Sequence, residues 1–265
     1  MKRLIYQVSV SNNSNLYKHC ISSVSTYCKK YGIDHFVQKQ PILRIKPDIF
    51  LSNRSKESYE KYGGYLPIYE KENAFSYLRD YDQIAIVDAD IYIRDTALNV
   101  FDELPDDYAF GAVCEQEMPI TKQYADKIIN YSSMQYASLH RSRENLDFKP
   151  HALGFEFFNM GMIVLNSENF LPYLREESPK EFVSRPEFAR FVNGVGNWKW
   201  STDQTLLNYF VKKYNVPVKH MHWHWNGLFT ANTKIHECHF VHFFLKDKLP
   251  NKGENIEELM RAINR

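Results

Sequence analysis

Apolar and polar positions along the chain follow two periods, and the changes of period mark the elements. Residues 4–10 form a short apolar-rich run that predicts a first strand. The polar 11-SNNSN-15 follows as a loop. Leu16, Cys20, Ile21, Val24 and Cys28 then recur at helical spacing, and Gly32 stands where a helix would stop. The run 34-DHFVQ-38 predicts a second strand. Strand, loop, helix, strand is the opening of a parallel α/β sheet. Residues 40–68, with three prolines and 63-GG-64, read as mostly irregular, and a helix over roughly 69–79 leads into 82-DQIAIVDADIYIRD-95.

Further on, 108-YAFGAV-113 and 155-FEFFNMGMIVLN-166 read as strands, and Ser167 as a cap for a short helix that Pro172 interrupts or bends. The aromatic-rich polar stretch 121–147 reads as helical, a possible insertion over the sheet. Residues 178–200 read as irregular, and Ser201 opens a helix. Strands are expected at 216-VPVKHMHW-223 and 238-CHFVHFF-244, then a polar C-terminal helix. No repeat, low-complexity tract or linker divides the chain, so residues 1–265 are expected to form one domain.

Composition narrows the partners. The chain is 44% hydrophobic and 15% aromatic over 265 residues, enough for a substantial core. Its 33 basic and 32 acidic residues are balanced, without the clustered Lys/Arg of a nucleic-acid footprint. No window approaches the ~18 apolar residues of a transmembrane helix, and the start MKRLIYQVSVSNNSN lacks the long apolar region of a leader. Cys20, Cys28, Cys114 and Cys238 have no paired spacing and read as free thiols of a reducing compartment. The expectation is a soluble cytoplasmic protein, with attachment to a membrane surface as the alternative; the oligomeric state is not fixed by the sequence.

The chemistry begins where Ile84 to Val87 run into Asp88-Ala89-Asp90. An unpaired buried carboxylate is costly, so a metal, a basic partner or water must compensate. In open α/β sheets, ligands bind beyond the carboxyl ends of the strands. Residues spaced by two project to one side of an extended chain. A divalent cation with oxygen ligands would remove the mutual repulsion of the two acids. Solvated turn residues are the alternative. A phosphatase with an aspartyl nucleophile also carries D-x-D after a strand. Its motif usually opens the domain and continues to Thr or Val, where this chain has Tyr92.

Six of ten histidines fall between 220 and 242. His220, His222 and His224 would share one face of a strand, a candidate zinc triad and the basis of a zinc-hydrolase alternative. In 242-HFFLKDK-248, an imidazole that could ligate a metal precedes Lys248, a pairing suited to a diphosphate. The run 201-STDQ-204 fits a capping box, with Ser201 as cap and Gln204 reaching back. Asp203 would then lie in the first turn, and a helix starting beside the strand ends would also aim Asp203 and Gln204 into the cleft.

Five motifs stand in one order: 87-VDADIYI-93, 158-FNMGMIVLN-166, 203-DQTLLN-208, 225-WN-226 and 242-HFFLKDK-248. In this the chain resembles glycosyltransferase family eight, the retaining nucleotide-sugar transferases that include glycogenin and bacterial lipopolysaccharide galactosyltransferases. The resemblance implies a single-domain glycosyltransferase A-type fold, a mostly parallel nucleotide-sugar-binding sheet flanked by helices. It implies hexosyl transfer from a nucleotide-diphosphate sugar, UDP-linked, to a saccharide or glycan acceptor. Asp88, Asp90 and His242 would hold Mn²⁺ or Mg²⁺, and Lys248 would contact the diphosphate. Lys71, Ser9, Ala89 and Gly161 would line the donor site. Asn159 would approach the sugar, Asp203 would bind its hydroxyls, and Gln204 would lie near the anomeric carbon. Retention by same-face attack is expected, since Asp203 is the sole carboxylate at that point.

The chain departs from the family at four places. Leu245 replaces a glycine, Thr205 replaces the second acid of Asp-Gln-Asp, Leu249-Pro250 replaces Pro-Trp, and 8-VSVSNN-13 has no acidic base-reading residue. Thr205 and Leu245 motivate the alternative of a non-catalytic nucleotide-sugar-binding protein. Tyr124, Tyr131, Tyr136 and His140 are candidates for an acceptor surface, or for ordinary packing of a surface helix.

Overall fold

The computed structural model describes residues 1–10, 13–48, 63–141, 144 and 146–264. The chain opens with β1 (Arg3–Val8), α1 (Asn15–Tyr31) and β2 (Asp34–Gln38), as the periodicity predicts. The Ser14 side chain accepts from the Tyr17 N–H at the start of α1, and Gly32 ends it at φ 63°. Between them, Leu16, Cys20, Val24, Tyr27 and Cys28 turn inward. Residues 49–62 of the stretch read as irregular lie outside the described residues. The helix expected over 69–79 is a run of 3₁₀ turns, Pro67–Tyr77, with Pro67 at its first position.

The central sheet has six strands in the order β2-β1-β3-β8-β5-β9, where β3 is Gln83–Val87, β5 Phe110–Cys114, β8 Phe158–Asn166 and β9 Val218–His220. Strands β1, β2 and β3 run parallel, β5 and β9 run parallel, and β8 alone is antiparallel to both its neighbours. Strand β3 is buried throughout, and its residues alternate between two cores. Ile84 and Ile86 join an aromatic-rich layer with Phe75, Phe110, Phe158, Phe170 and Phe210. Ala85 and Val87 join the layer packed under α1 with Val24, Met162 and Val164.

Two features of register shape the site. Ala112 pairs with Ile163 but Cys114 pairs with Phe158, so β8 bulges over residues 159–161. A second, three-stranded sheet has the order β10-β11-β4, where β4 is Ile91–Ile93, β10 Gly227–Leu228 and β11 Phe240–His242. In it, β11 runs antiparallel to β4 with His242 opposite Ile91. Residues more than 140 positions apart in sequence thus meet at the end of β3.

Several boundaries differ from expectation. Helix α2 is Lys122–Arg141, and it packs on the hairpin of β6 (Pro150–His151) and β7 (Gly154–Phe155), where the Phe155 N–H donates to Ser132 Oγ. Residues 142, 143 and 145 of the expected helical stretch are not among the described ones. Asn166 caps α3 (Ser167–Leu174) rather than Ser167, and Pro172 sits within that helix without ending it. The irregular 178–200 contains two short helices, α4 (Pro179–Val183) and α5 (Ala189–Val192). The chain closes with α6 (Asp203–Lys213) and α7 (Ile256–Ile263). No helix among the described residues is long and apolar enough to cross a membrane.

Candidate active site

Asp88 and Asp90 flank the turn between β3 and β4, at the carboxyl edge shared by β1, β2 and β3. The Asp88 N–H donates to the Gly161 carbonyl at 2.8 Å, which fixes the turn to the bulge of β8. From β11, His242 Nε2 comes within 3.2 Å of Asp90 and 3.6 Å of Asp88. One ligand atom from each of the three lies within 4.8 Å of the others. Two carboxylates and an imidazole in that spacing suit Mn²⁺ or Mg²⁺.

The back of the His242 ring is held by a buried amide chain. Glu115 accepts from Asn159 Nδ2 at 2.5 Å and from the Tyr124 hydroxyl at 2.9 Å. Asn159 Oδ1 accepts from Asn226 Nδ2 at 2.8 Å, and Asn226 Oδ1 lies 3.2 Å from His242 Nδ1. An Asn226 amide that donates to Asn159 leaves its oxygen to accept from Nδ1–H. Nε2 then faces the two carboxylates: protonated it pairs with them, and deprotonated it turns its lone pair toward the position of a shared metal. Gly161 makes room for this ring, since a Cβ there would stand 2.3 Å from His242 Nδ1.

Lys71 is the basic partner. Its ammonium is buried between Asp88 at 2.8 Å and Asp203 at 2.7 Å, and it donates to the Met160 carbonyl at 3.3 Å. Burial opposes its charge, but Asp203 and then Asp88 outweigh burial and raise its pKa. For Asp88, burial dominates and lifts the carboxyl above its usual range, against Lys71 and His242. Burial would lift Asp90 too, yet His242 beside it holds it below the usual range. His242 is lifted above an ordinary imidazole by Asp90 and Asp88 despite burial. Glu72, next to Lys71, is raised by burial and then by the Asp203 charge, which favours its neutral form.

Helix α6 does not begin as the capping box predicts. Thr202, not Ser201, caps it, through the Gln204 N–H at 3.2 Å. Ser201 instead donates to Gln135 at 2.6 Å. Gln204 does not reach back; it accepts from the Met160 N–H at 3.2 Å, and its amide nitrogen lies 3.4 Å from the Tyr131 hydroxyl. Asp203, at 1% exposure, occupies the first turn, where the helix dipole favours its charge.

Asp88, Asp90, His242, Lys71, Asp203, Gln204, Asn159 and Gly161 are therefore one cluster, with Ala89 buried in its turn. Ser9 lies apart, in a cavity of about 760 Å³ at the same carboxyl edge, lined also by Tyr17, His35 and Lys39. Gln7 links the two, donating to the Asp88 carbonyl at 3.2 Å while its oxygen lies 2.8 Å from His35 Nε2. Lys248 is exposed on the turn Lys246–Lys248 and, among the described residues, forms no ion pair with the cluster. It stands instead against Lys127 of α2, whose ammonium is pushed below its ordinary pKa first by that contact. The missing glycine has a structural trace: Leu245 adopts φ 58°, the left-handed conformation glycine adopts without penalty.

The zinc triad does not form. Strand β9 ends at His220 and residues 223–225 coil into a 3₁₀ turn, so the three histidines share no strand face. Tyr136 is core, stacked on Phe148, whereas Tyr124 and Tyr131 reach the cluster. Sequence reasoning assigned no role to Glu115, Asn226, Glu72 or Lys127. Only Asn226, within the quoted 225-WN-226, carried a signal.

No protein-family model and no curated protein matches this sequence. Solved structures do. The galactosyltransferase LgtC, in complex with donor and acceptor sugar analogs, aligns with TM-score 0.56 at 14% identity, over 98% of this chain and 95% of that one. The chain has the glycosyltransferase A-type fold. An active-site Gln-to-Glu mutant of LgtC aligns at TM-score 0.52 and 15% identity, over 98% and 95%. A glycosyltransferase involved in the glycosylation of the major capsid of PBCV-1 aligns at 0.50 and 10%, over 97% and 100%. These likenesses establish the mostly parallel glycosyltransferase sheet expected from the five motifs, and the cluster lies at its carboxyl edge.

Proposed function

We propose that this protein is a metal-dependent, retaining glycosyltransferase that moves a hexose from a nucleotide-diphosphate sugar, UDP-linked, to a saccharide acceptor. The observation that carries the proposal is the meeting of Asp88, Asp90 and His242 with Lys71, Asp203 and Gln204, at the strand ends of a glycosyltransferase fold. Asp88, Asp90 and His242 would hold Mn²⁺ or Mg²⁺, which supplies Lewis-acid stabilisation of the departing diphosphate.

The remaining parts are the chain's own. The Ser9 cavity, one strand-end over from Asp88, is the place for the nucleoside. Residues 11 and 12, which follow it, lie outside the described residues. Lys248 and Lys127, two exposed ammonium groups side by side, offer charge to the diphosphate. Asp203 and Asn159 present polar atoms to the sugar. Asp203 is tied at 2.7 Å to Lys71, which lowers its nucleophilicity and favours same-face attack over a covalent intermediate. Gln204, held between Met160 and Tyr131, supplies polar support at the reacting carbon without competing as a nucleophile. Tyr124 and Tyr131 of α2 offer aromatic surface to the acceptor. Thr205 is buried and donates to Gln135 at 3.1 Å, so in this chain that position serves packing.

A thermal-shift panel of UDP-, GDP- and CMP-sugars, each with and without Mn²⁺, tests the donor assignment. A rise in Tm that needs UDP-sugar and metal together, and disappears in Asp88→Ala, is the expected result. Folded protein that responds to no donor overturns the proposal.

A further inference from the structure

A second cluster of ligating groups lies at the far end of the central sheet. Cys114 is the last residue of β5, and His220 is the last of the neighbouring parallel strand β9. Glu117 closes the 3₁₀ turn that follows β5, and Glu156 precedes β8. His220 Nδ1 lies 3.2 Å from Glu117 Oε1 and 3.8 Å from Glu156 Oε1. One ligand atom from each of the four residues lies within 4.8 Å of every other. Tetrahedral coordination at zinc bond lengths places ligand atoms about 3.3–3.8 Å apart, so small side-chain rotations close the set.

Charge and chemistry both point to a cation. Two carboxylates face one imidazole, so even a protonated His220 leaves the cluster negative. Among the described residues, no Lys or Arg forms an ion pair with Glu117 or Glu156. A thiol and an imidazole beside the carboxylates select a borderline-soft ion over Mg²⁺ or Mn²⁺. An entry path exists, because Cys114, Glu156 and His220 line one open cavity of about 580 Å³.

We propose that Cys114, Glu117, Glu156 and His220 form a Zn²⁺ site, distinct from the Asp88–Asp90–His242 site. Its four ligands come from three segments, so the ion clamps the ends of β5 and β9 to the entry of β8. Glu156 lies three residues before Asn159, and Cys114 immediately precedes Glu115, which holds Asn159. The ion thus braces the bulge that presents Asn159 to the active cleft. Binding exchanges the thiol proton of Cys114 for the metal and releases that proton to solvent.

Co²⁺ titrated into chelator-treated full-length protein tests this, because a thiolate ligand gives a near-ultraviolet charge-transfer band that the Asp88–Asp90–His242 site cannot produce. The expected result is a band that saturates at one equivalent, is displaced by Zn²⁺, and is absent in Cys114→Ser. Should Cys114→Ser fail to fold, Glu117→Gln at the exposed position serves, with Co²⁺ affinity expected to fall about tenfold or more. Folded wild type with no band overturns the site. So does a band unchanged in Cys114→Ser, or in Glu117→Gln when that variant stands in for it.

Discussion

Lys71→Met is the perturbation whose cost follows most directly from the geometry. The methionine keeps the length of the side chain but removes the ammonium set between Asp88 and Asp203. Lys71 and Asp203 are 5% and 1% exposed, so water does not replace the lost partner. Removing one member of a buried ion pair costs about 3–5 kcal/mol. An unfolding entropy of ~2.1 cal/mol/K per residue over 265 residues gives about 0.56 kcal/mol/K. The Tm should therefore fall by about 5–9 °C in a calorimetric or fluorescence melt at pH 7.5.

The deficit also has a pH signature. Burial already lifts the Asp88 carboxyl, and losing Lys71, whose charge opposes that lift, raises it further. The native state then binds the extra proton more tightly, so the deficit shrinks as pH falls toward 5. Adding Asp203→Asn to Lys71→Met should restore part of the loss, because one uncompensated charge disappears. A single mutant within ~2 °C of wild type, with no pH dependence, would refute the placement of Lys71 as the counter-ion of a buried acid pair.

Gly161→Ala puts a Cβ 2.3 Å from His242 Nδ1 and should cost about 1–3 kcal/mol in urea unfolding; it should also weaken Mn²⁺ binding, and unchanged values for both would contradict the close approach. Asn226→Ala removes the partner of His242 Nδ1 and should lower Mn²⁺ affinity about 10–100-fold by calorimetric titration; unchanged affinity would dismiss the tautomer argument. Leu245→Gly relieves a left-handed leucine that is 45% exposed. It should stabilise by up to about 1 kcal/mol, or roughly 2 °C, and a lower Tm would contradict the strain.

Much of this architecture was legible because the sheet obeys local rules. The continuous apolar run of β3, the 3.6-period face of α1 and the Gly32 stop each depend on near neighbours in sequence. The D-x-D end of β3 was readable as a site for the same reason, since a buried strand that ends in two acids needs compensation. The second half of the site was not local. Lys71 meets Asp203, and Glu115 meets Asn159, through strand order and the bulge of β8. No spacing encodes those contacts. The histidine stretch misled because alternation alone suggested a strand, whereas the chain turns after His220 and sends its histidines to different neighbours. Ser201 misled in a similar way: a capping sequence is satisfied one residue later by Thr202, which frees Ser201 for Gln135. Solved structures share the fold at 10–15% identity, and no family model matches.

The central claim is turnover of a nucleotide sugar at the Asp88–Asp90–His242 cluster. Proton NMR of UDP-hexoses incubated with Mn²⁺ and enzyme, wild type against Asp90→Asn, reads it most directly. The account predicts release of UDP by the wild type alone, with the sugar product first appearing in the donor's own anomeric configuration. Donor that binds folded wild-type protein yet stays intact, with and without saccharide acceptors, would contradict it.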